Sequence, residues 1–180
     1  SVVGVDASEF FTETYKDWTS LTKVVGLGNV LNTVSASDIS DTVYLNKTFS
    51  GCTALEEVKI DCKVPGTWIG FTETFNDCTS LKTFTVMNSK VAKVQLLNIT
   101  DNSCPGDIKV TFSGVTFAGT DTTVNNALSF AFDGMAGTYT FQSCDSTSSD
   151  GISLGGAFAK HMNSTGKDRT VQETNDIVVI

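Results

Sequence analysis

The sequence predicts an α/β repeat solenoid, with a parallel β-sheet along one face and short helices or turns on the other. Three observations support this fold class: one segment recurs almost unchanged, three cysteines are evenly spaced, and an apolar alternation follows each cysteine. Periods of about 20 to 50 residues are typical of proteins in which each repeat is one supersecondary unit that stacks on its neighbours to bury a shared core.

The clearest repeat is an eleven-residue segment that begins at a phenylalanine. Its copies at residues 11–21 and 71–81 are identical at 8 of 11 positions. A third copy, at residues 45–55, places Phe49 and Phe75 at equivalent positions, which defines a 26-residue period. We expect each copy to form a helical turn or tight loop anchored by its aromatic residue, with a short strand after it.

The cysteines follow the same period, since one period separates Cys52 from Cys78 and another separates Cys78 from Cys104. Apolar residues occur six and eight positions after each of them, at Val58 and Ile60, Phe84 and Val86, and Val110 and Phe112. Such alternation is typical of a strand with one buried face. A free cysteine packs as a small hydrophobic residue, so we expect these three thiols to be buried. Cys62 and Cys144 lie off the period and are left as candidates for a disulfide.

The length and composition favour one domain, residues 1–180, because 180 residues with 40% hydrophobic content suffice for a single core. Within it, residues 10–112 contain the clear repeats. Residues 113–180 contain degenerate repeats and a C-terminal cap, in which Phe132 and Phe158 return to the 26-residue spacing.

The charge balance argues against nucleic acid as a partner. The chain has 20 acidic and 12 basic residues, a formal net charge of −8, and no cluster of Lys and Arg. Its average field therefore repels polyphosphates. No apolar stretch approaches the roughly 18 residues needed to span a membrane, so we expect no membrane insertion. The Thr- and Ser-rich composition suits an extracellular setting, and a first residue other than Met suits a mature product or a fragment.

The motif Phe-x-x-Cys-Thr-Ser-Leu-x-x-Phe-x-Val at residues 75–86, with its relative Phe-x-x-Cys-Thr-Ala-Leu-x-x-Val-x-Ile at residues 49–60, resembles the BspA-like leucine-rich repeat family. The resemblance covers roughly residues 10–112. It implies a curved solenoid, secreted to bacterial cell surfaces or carried on the fibres of phages that infect gut bacteria, and used for adhesion to proteins, glycans or other cells. It implies no shared catalytic residues.

We therefore expect a non-catalytic adhesion or recognition module at a cell or virion surface, without cofactor or metal, that binds a protein or glycan on a host or neighbouring cell. The alternative is a structural protein, a stiff segment of a phage fibre or surface appendage. For either function, an oligomer or a place in a larger assembly is a further expectation. If the apolar strand residues point inward, the residues between them face outward: Glu57, Lys59, Thr83, Thr85, Lys109, Thr111, Thr138 and Thr140. Threonine is also a common exposed strand residue without any binding role.

Trp68 lies in the connection between two strong repeats. It is a candidate binding residue, as an exposed aromatic anchor for a sugar or protein, although core packing is the alternative.

The segment Gly151-Ile152-Ser153-Leu154-Gly155 matches the G-x-S-x-G element of serine hydrolases, which makes a hydrolase a remote alternative. That element requires a buried strand directly before the serine, whereas a polar segment precedes Ser153. The single histidine, His161, follows only eight residues later, which leaves little room for the usual order of acid and histidine. We therefore expect a glycine-rich turn at this segment and no enzyme activity.

Overall fold

The computed structural model describes residues 11–31, 42–62, 68–97, 107–118, 137–146 and 169–174, and all structural statements below concern these residues. They form two parallel β-sheets and one short helix, numbered along the chain.

The first sheet has six strands: β1 (Lys23–Val24), β3 (Glu57–Asp61), β5 (Thr83–Met87), β7 (Ile108–Ser113), β9 (Gly137–Gln142) and β11 (Arg169–Thr174). They lie side by side in that order, and every neighbouring pair is parallel. Glu57 pairs with Thr83 and Thr83 pairs with Lys109, so the register advances by one sequence period at each of these two steps.

The second sheet has five strands: β2 (Val43–Tyr44), β4 (Trp68–Thr72), β6 (Lys90–Leu97), β8 (Thr116–Ala118) and β10 (Asp145–Ser146). These strands are also parallel and also follow one another in chain order across the sheet. Odd-numbered and even-numbered strands therefore belong to different sheets, and the chain alternates between the two sheets as it advances.

The expectation of short helices or turns beside the first sheet is met in part, but the sequence did not predict the second sheet. Turns are present, but the part of the chain that the structure describes has a single helix, α1 (Leu27–Leu31). Where a helix or turn was expected, β4 is an apolar strand with four consecutive buried residues. Such a strand is covered on both faces, and its sequence therefore lacks the alternation that marks a half-buried strand.

The three copies of the repeated segment, residues 11–21, 45–55 and 71–81, form successive turns, called here the turn segments. Each has a non-glycine residue with positive φ at its third position: Glu13 at 56°, Lys47 at 52° and Glu73 at 51°. The turn segments are also joined by backbone hydrogen bonds. The N–H of Tyr15 donates to the Thr48 carbonyl at 3.0 Å, and the N–H of Phe49 donates to the Thr74 carbonyl at 3.1 Å. The parallel ladder thus continues beyond the strands.

The core contains the inward residues of the first sheet and the aromatic residues of the turn segments. Tyr15, Phe49 and Phe75 form a row of stacked rings, with centroid separations of 5.6 Å and 5.8 Å and interplanar angles of 6° and 10°. Phe112 and Phe141 stack in the same way at 5.5 Å. These contacts join successive turns and successive strands through side chains of the same kind.

Two buried threonines provide polar contacts inside the turn segments. The Thr48 hydroxyl donates to the Phe11 carbonyl at 2.7 Å, and the Thr74 hydroxyl donates to the Leu45 carbonyl at 2.9 Å. Both hydroxyls are fully buried. Because an unpaired buried hydroxyl is costly, these bonds allow a polar residue to occupy an interior position.

Candidate binding surface

The outward side chains of the first sheet form a continuous surface, called here the outer face. Burial alternates along β3, β5 and β7, with Val58, Phe84 and Val110 inside and their neighbours partly exposed or exposed. The inward orientation predicted for the six apolar strand residues is confirmed. The eight strand residues proposed from the sequence as a binding surface all lie on the outer face, at Glu57, Lys59, Thr83, Thr85, Lys109, Thr111, Thr138 and Thr140.

Strand pairing arranges these side chains in two rows that cross the sheet. The first row runs through Lys23, Glu57, Thr83, Lys109, Thr138 and Thr170. The second row runs through Lys59, Thr85, Thr111, Thr140 and Gln172. Strands in a sheet are about 4.8 Å apart, so each row presents side chains at that interval. Hydroxyl groups therefore occur at regular spacing beside three lysines.

A third row was missed in the sequence analysis, although it lies two residues beyond the second row on the same strands. It contains Asp61, Met87, Ser113 and Gln142. The Ser113 hydroxyl donates to Oε1 of Gln142 at 3.1 Å, and Nδ2 of Asn88 donates to Oδ1 of Asp61 at 3.0 Å. These bonds hold the polar groups along this margin of the outer face. Strict continuation of the alternation could have found the partly exposed Asp61, Met87 and Ser113, but not the burial of Gln142, which is 3% exposed.

The lysines whose side chains the structure describes differ in their partners. Four are paired with carboxylates: Lys16 with Glu13, Lys23 with Glu57, Lys47 with Glu73, and Lys82 with Glu56. Lys90 instead lies over the Trp68 ring, with Nζ 5.6 Å from the ring centroid. Among the lysines whose side chains the structure describes, Lys59 and Lys109 have neither kind of partner, and both lie on the outer face.

Trp68 was considered from the sequence as an exposed binding anchor, and the structure shows that this interpretation is wrong. The alternative, core packing, is correct. It is the first residue of β4, and its side chain is buried at 9% exposure. The ring packs with the core cluster and is covered by the Lys90 ammonium group. Its position in a connection between repeats suggested exposure, but that connection contains a strand of the second sheet.

The described cysteines form no disulfide, so the bridges considered for Cys62 and Cys144 are not present in this structure. Cys52 and Cys78 are fully buried, as expected, whereas Cys104 lies outside the described residues. Burial raises the pKa of Cys52, and burial together with the nearby Asp61 charge raises the pKa of Cys62 to about 12. The thiolate is the form that acts as a nucleophile and binds metal ions. Because the raised pKa values keep Cys52 and Cys62 protonated near neutral pH, neither thiol is suited to these reactions.

The described residues provide no support for a metal site or a membrane-spanning helix. Within the described ranges, no group of three or more His, Cys, Asp or Glu residues is placed to hold a metal ion. No helix in the same part of the chain is long and apolar enough to cross a membrane. The Gly151–Gly155 segment, Ser153 and His161 lie outside the residues that the structure describes.

An apolar cleft of about 370 Å³ lies at the β1 end of the first sheet. Its walls include Trp18, Leu21, Val30 and Phe49, with Lys23 at its margin. Trp18 and Val30 are exposed, at 55% and 46%. Phe49 and Phe75 each stack on the aromatic ring of the preceding turn segment, whereas Tyr15 belongs to the first described turn segment, so this cleft marks the first end of the described turns.

Comparison with known proteins gives no assignment: no family model, no curated protein and no solved structure matches the chain. The function proposed below therefore rests on the sequence and on the geometry of the outer face.

Proposed function

We propose that this chain is a leucine-rich-repeat solenoid of the BspA-like type that acts as a non-catalytic adhesion or recognition module at a cell or virion surface. Its outer face binds a protein or glycan of a host or neighbouring cell. The observation that carries the proposal is the continuous register of β3, β5, β7 and β9, which aligns the outward residues in rows.

The repeat architecture is supported by agreement between the period of the sequence and the period of the strand pairing. The cysteines and turn phenylalanines recur with the 26-residue period in the sequence, and strand pairing advances by the same period from Glu57 to Thr83 and from Thr83 to Lys109. A chain in which each unit pairs only with the next one behaves as a stack of repeats. The parallel arrangement of both sheets is consistent with that description.

A recognition role is supported by the chemistry of the outer face. Five of its eight proposed residues are threonines, whose hydroxyls both donate and accept hydrogen bonds. A short side chain loses little rotamer freedom on binding, and a paired sheet does not need to be ordered by the ligand. The face can therefore form several hydrogen bonds with a small entropic cost.

The experiment is a binding screen of the full chain against glycan arrays and host surface proteins, repeated with Thr83→Arg plus Thr85→Arg. We expect the double variant to lose a ligand that the native chain binds, because two long cations in the centre of the outer face block close approach. The matched control is Thr72→Arg plus Thr116→Arg, two partly exposed threonines in strands β4 and β8 of the second sheet.

Loss of the ligand with both double variants points to misfolding or a different surface, and circular dichroism separates those two results. Retained binding by the outer-face variant, in a folded protein, contradicts the proposal. Retained binding with lost self-assembly supports the structural alternative instead.

A further inference from the structure

We propose that the outer face binds an extended acidic glycan, a chain rich in hydroxyl groups that carries sugar carboxylates, between Lys59 and Lys109. This inference rests on the proposed function and names the ligand class for the same surface. It is drawn from the two lysines that lack a partner among the described residues and from the neutral hydroxyl groups between them.

The two lysines stand out among the lysines whose side chains the structure describes. Five other lysines of the described chain contact a carboxylate or an aromatic ring. The chain has 20 acidic and 12 basic residues, so an unpaired lysine is not explained by a lack of acidic groups. Two unpaired cations on one face create a local site for negative charge.

The carboxylates nearest to Lys59 along its own strand are already engaged. Glu57 lies two residues before it and forms the 2.7 Å ion pair with Lys23. Asp61 lies two residues after it and accepts the hydrogen bond from Asn88. The Lys59 ammonium group is thus available to an external anion. Lys109, which follows the exposed Asp107 by two residues, forms no ion pair among the described side chains.

The geometry fits an extended ligand. Lys59 pairs with Thr85 on β5, and Lys109 pairs with Thr83 on the same strand. The two lysines are therefore separated by two strand spacings and by two residues along the strand, a Cα separation of roughly 12 Å. Thr83, Thr85 and Thr111 are partly exposed in the same area.

The composition of the outer face favours a glycan over a protein partner. The centres of protein interfaces are enriched in aromatic residues and Arg and depleted in Lys. The three rows that the structure describes contain no aromatic residue and no Arg, and Met87 is their single large apolar side chain. Closely spaced hydroxyl groups match the donors and acceptors of sugar hydroxyls.

The test is calorimetric titration of the full chain with two carboxylated probes, oligogalacturonate and oligosialic acid, and with the methyl ester of oligogalacturonate as the neutral control. We expect at least one acidic probe to bind and the methyl ester to bind more weakly. Lys59→Gln and Lys109→Gln should each weaken binding about twofold to fivefold, as expected for exposed charge pairs, and added salt should reduce the difference.

The matched control is Lys16→Gln plus Lys47→Gln, which makes the same change in net charge as Lys59→Gln and Lys109→Gln combined, but at two lysines paired within and between the turn segments. We expect this variant to bind as the native chain does. An equal loss with this control indicates a general charge effect and overturns the proposed site.

Three other results overturn the inference and leave the proposed function standing. The first two are that the methyl ester, or a Glu-rich peptide used as a further probe, binds as tightly as the acidic glycans. The third is that neither acidic probe binds, while binding of another ligand depends on Thr83 and Thr85. If no ligand found in the broader screen depends on the outer face for binding, both the inference and the proposed function are contradicted.

Discussion

The Cys78 thiol donates a hydrogen bond to the backbone carbonyl of Phe49, with 3.1 Å between sulfur and oxygen. Cys52 makes the same contact with the Tyr15 carbonyl, also at 3.1 Å. In both cases the cysteine reaches back to the aromatic position of the preceding turn segment. This explains why a cysteine suits the position: it fills a small apolar space and also donates to a carbonyl inside the core.

The first prediction concerns thiol reactivity. Cys52, Cys62 and Cys78 are fully buried, whereas Cys144 is partly exposed. Burial also raises the pKa of Cys52 and Cys62, which keeps the reactive thiolate scarce. We expect iodoacetamide at pH 8 to modify Cys144 first and the three buried thiols only after unfolding in urea. Peptide mapping by mass spectrometry measures this order, and rapid labelling of native Cys62 would contradict it.

The second prediction concerns alkaline stability. The pKa of Cys62 is about 12 in the folded protein, against an ordinary value of 9.0. Between these two values the unfolded chain releases the thiol proton while the folded chain retains it, so rising pH favours unfolding. We expect the free energy of unfolding to fall less steeply between pH 8 and pH 10.5 in Cys62→Ala than in the native chain.

Urea titrations at the two pH values test this prediction, since other titrating groups are common to both proteins. Cys144→Ala, which removes a partly exposed thiol, serves as the control for the cysteine-to-alanine substitution itself. A Cys62→Ala slope equal to the native one would show that this thiol does not contribute.

The third prediction concerns the buried threonine hydroxyls. Thr74→Val keeps the shape of the side chain and removes the 2.9 Å hydrogen bond to the Leu45 carbonyl. We expect a loss of about 1 kcal/mol in the free energy of unfolding, typical of one intramolecular hydrogen bond. Thr83→Val, on the outer face, should change it by less than about 0.5 kcal/mol. Equal effects of the two substitutions in urea denaturation would argue against a role for the buried bond.

The sequence predicted the first sheet because that sheet has one buried face. Val58 and Ile60 alternate with polar neighbours, as do Phe84 and Val86, and alternation of this kind directly indicates which residues point inward. The regular spacing then indicated which strands pair. The proposed outward residues could be located by this argument alone.

The second sheet could not be predicted in the same way. Residues 68–71 are Trp, Ile, Gly and Phe, a continuous apolar run that periodicity alone cannot assign to a strand or a helix. For the same reason the burial of Trp68 was not evident. The hydrogen bond between Asp61 and Asn88 also depends on how neighbouring strands end, which no spacing rule in the sequence specifies.

The fourth prediction concerns the stacked rings of the turn segments. Phe49 is 1% exposed and stacks on Tyr15 on one side and Phe75 on the other. We expect Phe49→Ala to reduce the free energy of unfolding by about 3 to 5 kcal/mol, because it removes a large buried side chain and leaves a cavity. Phe49→Leu should cost less, since it retains most of the volume. Urea denaturation gives both values, and a loss below about 1 kcal/mol for Phe49→Ala would contradict the packing described.

The fifth prediction compares two glycines that are two residues apart. A Cβ atom added at Gly28 would overlap the backbone carbonyl of Asp61 at the end of β3, whereas a Cβ atom at Gly26 would meet open space. Backbone atoms cannot yield as the end of a flexible side chain can. We therefore expect Gly28→Ala to lower the free energy of unfolding by at least about 2 kcal/mol, despite the higher helix propensity of alanine.

Gly26→Ala should change the same quantity by less than about 0.5 kcal/mol. Asp61 accepts the hydrogen bond from Asn88 at the margin of the outer face. Displacement of the Asp61 backbone in Gly28→Ala should therefore also shift the amide NMR signals of Asp61 and Asn88. If Gly28→Ala is as stable as the native chain and leaves these signals unchanged, helix α1 does not pack on β3 as described, and the end of β3 beside Lys59 is not held by that contact.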